Sequence, residues 1–253
     1  MEKKSLWETW TPELKQSMMD FCEGYKAFMS KCKTERECVD ELIVMAEKAG
    51  YKNLEECIAK GEKLVPGDKV YANNRNRFIV LVQIGEEDLS TGLRLLGAHI
   101  DSPRLDLKPN PLYEDSEIAY FKTHYYGGIK KYQWPTIPLA IHGVVCRKDG
   151  ERITITIGED DNDPVVMVSD LLPHLAADQM QKTAAQVIAG EQLNVILGTE
   201  PLEGEGSDMV KLNIMKLLNE KYGIIEEDFL SAELSIVPAG KCREVGLDRS
   251  LLG

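Results

Sequence analysis

The sequence predicts an α/β protein with two distinct textures. Three observations carry that reading. Apolar residues at helical spacing, with capping signals, fill the chain up to Val65. A short apolar run at 93–98 leads straight into His99, and closely spaced strand patterns follow from about Lys108.

The helical part opens at Thr11-Pro12-Glu13, which offers an N-cap, a proline at the first helical position and an acid in the first turn. Leu14, Met18, Phe21, Tyr25 and Phe28 then share one stripe, expected to be core. Thr34 with Glu37 reads as a capping box for a second helix ending at Gly50. Residues 53–60 read as a third, closed by Gly61. A hairpin follows, 70–72 and 78–84 joined through Asn73-Asn74-Arg75-Asn76. Residues 93–98 read as a buried strand. His99 would then sit at a strand's C-terminal end, where open α/β sheets place their ligands.

Beyond Lys108, strands are expected at 117–126, 139–147, 152–157 and 165–168, with Lys148-Asp149-Gly150 as one of the turns between them. Residues 169–189 read as mostly helical and 192–197 as extended. Ser207 is a candidate cap for a helix running to Tyr222, with Met209, Leu212, Met215 and Leu218 spaced for burial, and 232–237 is a last strand. The acidic run Glu159-Asp160-Asp161-Asn162-Asp163 lacks the spacing of a calcium loop and reads as a solvated turn.

Composition narrows the function classes. A net charge of −12 argues against nucleic acid or an anionic membrane as the main partner, because both reward clustered Lys and Arg. The start, Met1-Glu2-Lys3-Lys4-Ser5, has no apolar signal-peptide stretch, and no window approaches the roughly 18 apolar residues of a spanning helix. Six cysteines, at 22, 32, 38, 57, 146 and 242, form neither a CxxC pair nor a zinc-finger spacing. Reduced thiols in a cytoplasmic protein are the expectation.

His99 is the residue with the most chemistry. A carboxylate two positions on, Asp101, is placed to accept the proton of one ring nitrogen and leave the other for zinc. His124 and His142 fall within strands and read as structural.

The segment Gly97-Ala98-His99-Ile100-Asp101-Ser102-Pro103 resembles the His-x-Asp-Ser-Pro signature of the aspartyl aminopeptidase family of zinc exopeptidases. Further segments resemble that family in order: Tyr125-Tyr126-Gly127-Gly128 with Trp134, the strand from Pro138 to Val145, and Leu172-Pro173-His174-Leu175-Ala176. The resemblance implies a partial zinc-exopeptidase α/β domain interrupted by an inserted β-rich assembly (dimerisation) domain. Residues 1–107 would belong to the peptidase domain, 108–238 to the insert, and 239–253 would begin the return. It also implies removal of N-terminal residues, acidic ones by the family's name, from peptide substrates. The metals would be two zinc ions per complete site, with cobalt or manganese as substitutes, acidifying a bridging water and polarising the scissile carbonyl.

On that pattern His99 is a metal ligand and Asp101 the site carboxylate that orients it. His174 resembles a histidine contributed from the assembly domain, and three uses stay open for it: metal ligand, substrate contact or structure. Relatives carry a functional histidine one helical turn later, where this chain has Asp178, and an (i, i+4) shift keeps one helix face. The family's bridging aspartate, Glu-Glu pair, other metal carboxylate and final histidine lie downstream of the matched region. Glu226-Glu227-Asp228, Asp248, Glu55-Glu56 and Glu86-Glu87 do not replace them by context. The expectation is an inactive N-terminal portion of an aminopeptidase, with the peptidase-like part marginally stable or associated. A non-catalytic oligomerisation module, forming homo-oligomers through the insert, is the alternative. A mononuclear metal protein using His99, Asp101 and His174 is a third.

Overall fold

The computed structural model describes residues 4–253 of a mixed α/β chain. Met1, Glu2 and Lys3, part of the run read above as lacking a signal peptide, lie outside the described residues. The chain divides into two compact units, one made of residues up to Ile100 with Lys241–Gly253, the other of Asp101–Gly240.

The first unit begins with α1 (Leu6–Thr9), α2 (Pro12–Lys31) and α3 (Glu35–Lys48). Thr11 caps α2 by accepting from Leu14 N–H, with Pro12 in the first turn. Thr34 and Glu37 close a reciprocal capping box on α3. A short β1 (Lys52–Asn53) runs into α4 (Leu54–Ala59), capped by Asn53. β2 (Lys69–Asn74) and β3 (Phe78–Gln83) form the expected hairpin, and β1 pairs β2 in parallel to give a three-stranded sheet. Arg75 and Asn76 both take positive φ, the conformation that a tight turn matching the strand twist demands.

Two sequence expectations fail here. Residues 93–98 form no strand, and Leu93, Leu95 and Leu96 are exposed. The stripe on α2 is not core: Leu14, Phe21 and Tyr25 are exposed, and Met18 and Phe28 only half-buried. Both patterns are of the kind that packs, but the described residues supply no layer to cover them. The buried apolar side chains of this unit are Cys38, Val39, Ala46, Cys57, Val70 and Tyr71.

The second unit is built on β4 (Arg104–Asp115), β5 (Ile118–Tyr126), β6 (Leu139–Cys146) and β7 (Arg152–Ile157), followed by α5 (Ala177–Met180), β8 (Val195–Gly198), α6 (Met209–Tyr222) and β9 (Ala232–Pro238). Six strands lie in the order β7-β6-β9-β4-β5-β8, every pairing antiparallel. Alternation sets the core: along β5, Ala119, Phe121 and Thr123 are buried while Lys122 and His124 face water. Phe121 meets Phe229 edge-to-face at 5.5 Å, and Ile214, Met215 and Leu218 of α6 pack on the same cluster.

The sequence reading names no strand at β4, which carries Pro109 and Pro111, residues that ordinarily interrupt pairing. A register shift between Leu107 and Leu112, with Asn110 at positive φ, carries both prolines through the ladder. The expected strand at 165–168 makes only isolated bridges. The expected long helix at 169–189 reduces to a single 3₁₀ turn, Pro173–Leu175, and α5. Ser207 does not cap α6; Asp208, in the left-handed region, occupies that position. The acidic turn after β7 is tied to the sheet, with Glu159 3.0 Å from the buried His142 ring and Asp163 accepting from Gly158 N–H.

The chain then returns to the first unit, where β10 (Glu244–Val245) and β11 (Leu251–Leu252) pair antiparallel. Lys26 of α2 holds Glu244 at 2.9 Å, and Ser30 accepts from Cys242 N–H at 3.1 Å.

Candidate metal-site segment

Between Gly92 and Arg104 the backbone carries neither helix nor strand, and His99 is exposed within it. Ile100 is half-buried, and its carbonyl lies 3.8 Å from the Cys38 thiol of α3, a weak donor.

Asp101, in the second unit, is half-buried and firmly held. Its Oδ2 accepts from the Tyr126 hydroxyl at 2.8 Å. Tyr126 stands directly across the β4–β5 ladder from Arg104, whose guanidinium lies 4.1 Å from the tyrosine ring centroid. Arg104 is buried, so its charge needs a partner. Asp106, two residues along the same strand face, accepts from Arg104 Nε at 2.7 Å and from Ser235 Oγ of β9 at 2.8 Å. The result is a polar string, Ser235–Asp106–Arg104–Tyr126–Asp101, crossing three strands. Gly127 sits beside Pro103 with room for a Cβ in ordinary van der Waals contact, so it is the positive φ of the Tyr-Gly-Gly turn, which L side chains rarely adopt, that favours glycine at position 127.

The sequence reading singled out Asp101 and the tyrosine–glycine turn but missed Arg104, Asp106 and Ser235. The available signal was a buried-strand pattern carrying Arg and Asp at a spacing of two.

His174 sits in the 3₁₀ turn Pro173–Leu175 and is exposed. Asp178 belongs to α5, which starts after Ala176, so the two do not share one continuous helix and the (i, i+4) argument does not hold. His124 stacks on Tyr125 at 5.6 Å.

Among the described residues, no group of three or more His, Cys, Asp or Glu side chains is arranged to hold a metal ion. Zinc asks for about four donors. The imidazole of His99 has the right chemistry for one corner, but the donors present do not make a centre, and no catalytic step is derived through one. The six cysteines are free thiols. Among the described residues, no helix is long and apolar enough to cross a membrane.

Residues 28–253 match the family described as Aminopeptidase I zinc metalloprotease (M18). This chain belongs to the M18 family. A probable M18 family aminopeptidase 1 of Clostridium acetobutylicum is 58% identical to the M18 chain over 252 residues, 99% of this chain and 54% of the relative. The crystal structure of an M18 aminopeptidase from Thermotoga maritima superposes with a TM-score of 0.91 at 48% identity, covering all of this chain and 54% of that one. The structure of aminopeptidase I from Clostridium acetobutylicum gives 0.89 at 55% identity, covering 100% and 56%. The M18 chain thus spans about half the length of the curated relatives it matches.

Proposed function

We propose that this M18 chain supplies one corner of a zinc aminopeptidase centre that removes N-terminal residues, acidic ones by preference, from peptides in the cytoplasm. His99 is a zinc ligand, Asp101 orients its ring, and His174 contacts substrate. Cobalt or manganese replaces zinc in vitro. Residues 108–238, which fall within the second unit, are the inserted assembly domain, through which copies oligomerise. By itself the chain is inactive. One observation carries the reading: His99-Ile100-Asp101 follows an apolar run in a chain matched to a zinc metalloprotease family over residues 28–253. A carboxylate two residues from a ligating histidine is the usual means of fixing the ring.

The test is a chimera in which these 253 residues replace the matching part of the Clostridium acetobutylicum relative. The chimera is expected to hydrolyse aspartyl and glutamyl substrates with bound zinc. His99→Ala abolishes turnover, and Asp101→Asn weakens zinc binding by about 10–100-fold. The unfused chain binds fewer than two zinc ions and shows no turnover. A folded, zinc-loaded chimera whose activity survives His99→Ala would overturn the assignment.

A further inference from the structure

Two thiols meet where α2 ends and α3 begins. Cys32 closes α2 as its C-cap, and Cys38 lies in the opening turn of α3. The backbone between them is held by the Thr34–Glu37 capping box, which fixes where both side chains start. Cys32 is half-buried and Cys38 buried. Cys32 Sγ lies 3.5 Å from the carbonyl oxygen of Glu37, the residue bonded to Cys38. Cys38 Sγ lies 3.8 Å from the carbonyl oxygen of Ile100.

The thiols also bond each other. The Cys32 S–H, donated to Cys38, holds that thiol below its ordinary range, against burial and the carboxylates of Glu37 and Glu35. The same bond pushes the Cys32 thiol up. One sulfur is readied as a thiolate while its neighbour keeps its proton. A reactive cysteine and its resolving partner divide their work in this way. Cys146 supplies the contrast, because it is exposed and exposure alone would make it the first thiol to react.

We propose that Cys32 and Cys38 are a peroxide-reactive pair that closes to a disulfide within the chain and so releases Ile100 from α3. The oxidant is a small hydroperoxide, hydrogen peroxide being the simplest, since a bulkier molecule would not reach the buried Cys38 sulfur. The Cys38 thiolate attacks one peroxide oxygen, the O–O bond breaks, and the departing hydroxide takes up the proton that Cys38 gave up. The Cys32 sulfur then attacks the Cys38 sulfenic acid. Its S–O bond breaks, and the hydroxyl leaves as water with the Cys32 proton. Two thiols lose two electrons, and one peroxide becomes two waters. The disulfide carries no S–H, so the carbonyls of Glu37 and Ile100 lose their donors together. Ile100 follows His99 directly, and oxidation thereby loosens the segment read above as bearing a zinc ligand. That consequence rests on the proposed function; the disulfide does not.

The experiment exposes the full 253-residue chain to equimolar hydrogen peroxide and counts the remaining thiol at each cysteine by alkylation and mass spectrometry. Cys32 and Cys38 are expected to disappear together, roughly tenfold faster than Cys146. The chain loses the mass of two hydrogen atoms and regains it on treatment with dithiothreitol. In Cys32→Ser the reaction stops at a Cys38 sulfenic acid, which dimedone traps. In Cys38→Ser the Cys32 thiol reacts no faster than Cys146. With the Ile100 carbonyl carbon labelled, its resonance shifts on oxidation, returns on reduction, and stays still in the double serine variant under the same treatment. Cys146 reacting first, a disulfide formed between chains, or a Cys32 rate unaffected by Cys38→Ser would each sink the pair. A Cys32–Cys38 disulfide that leaves the Ile100 resonance unmoved sinks the release. An oxidised chain whose Ile100 resonance shifts while its zinc binding does not change counts against the functional reading and leaves the thiol pair standing.

Discussion

Gly143 brings two strands of the second unit into contact that no other residue allows. It lies in β6 opposite Leu234 of β9, at a positive φ, and a Cβ there would collide with the carbonyl oxygen of Glu233. Neither backbone can withdraw without breaking ladder bonds on both sides. Gly143→Ala is therefore expected to cost about 3 kcal/mol, combining overpacking with a backbone conformation that L-residues disfavour. The check is the urea midpoint of the buried Trp134 fluorescence; a loss below about 0.5 kcal/mol, the ordinary range for surface changes, would show that the strands separate freely. The residues around Asp101 show how far single positions are legible. His-x-Asp is a local pattern and can be read from the chain. The Tyr126 hydroxyl that holds Asp101 stands 25 residues away, and Ser235 lies 129 from Asp106. Those pairings exist only once β4, β5 and β9 are in register.

Elements were legible where the chain makes its own local bonds. The capping box on α3 needs only Thr34 and Glu37, three residues apart: Glu37 N–H donates to Thr34 Oγ1, and Thr34 N–H to Glu37 Oε2 at 2.9 Å. Thr34 is itself buried, so nothing from solvent replaces its oxygen. Thr34→Ala is expected to destabilise the first unit by about 1 kcal/mol. Thr34→Ser should keep most of that, and amide exchange along α3 is the measurement. Equal exchange in the alanine and serine variants would mean that the cap is redundant. Elements were illegible where distant partners decide. The prolines of β4 conceal a strand that β5 and β9 hold in place around a bulge. At 169–189 the helical composition is overruled; Val168 and Met167 bridge to Pro135 and Ile196, and the segment beyond takes short turns instead.

The whole molecule has two units with unequal means of staying folded. The second has a six-stranded antiparallel sheet and one continuous core running through Leu105, Phe121, Leu139, Val145, Leu193 and Ile236. The first has a three-stranded sheet and buries little beyond Val39, Ala46, Val70 and Tyr71, while its largest apolar side chains face water. Apolar burial contributes roughly 25 cal/mol per Å², so the unit that leaves its leucines exposed forgoes most of the term that offsets chain entropy. The chain is therefore expected to unfold in two steps, violating two-state behaviour. Amide protection in α3 and β2 should disappear at a urea concentration well below that which releases β6 and β9, with Trp134 fluorescence following the later step. Coincident loss of protection in both units would mean that they fold as one cooperative body.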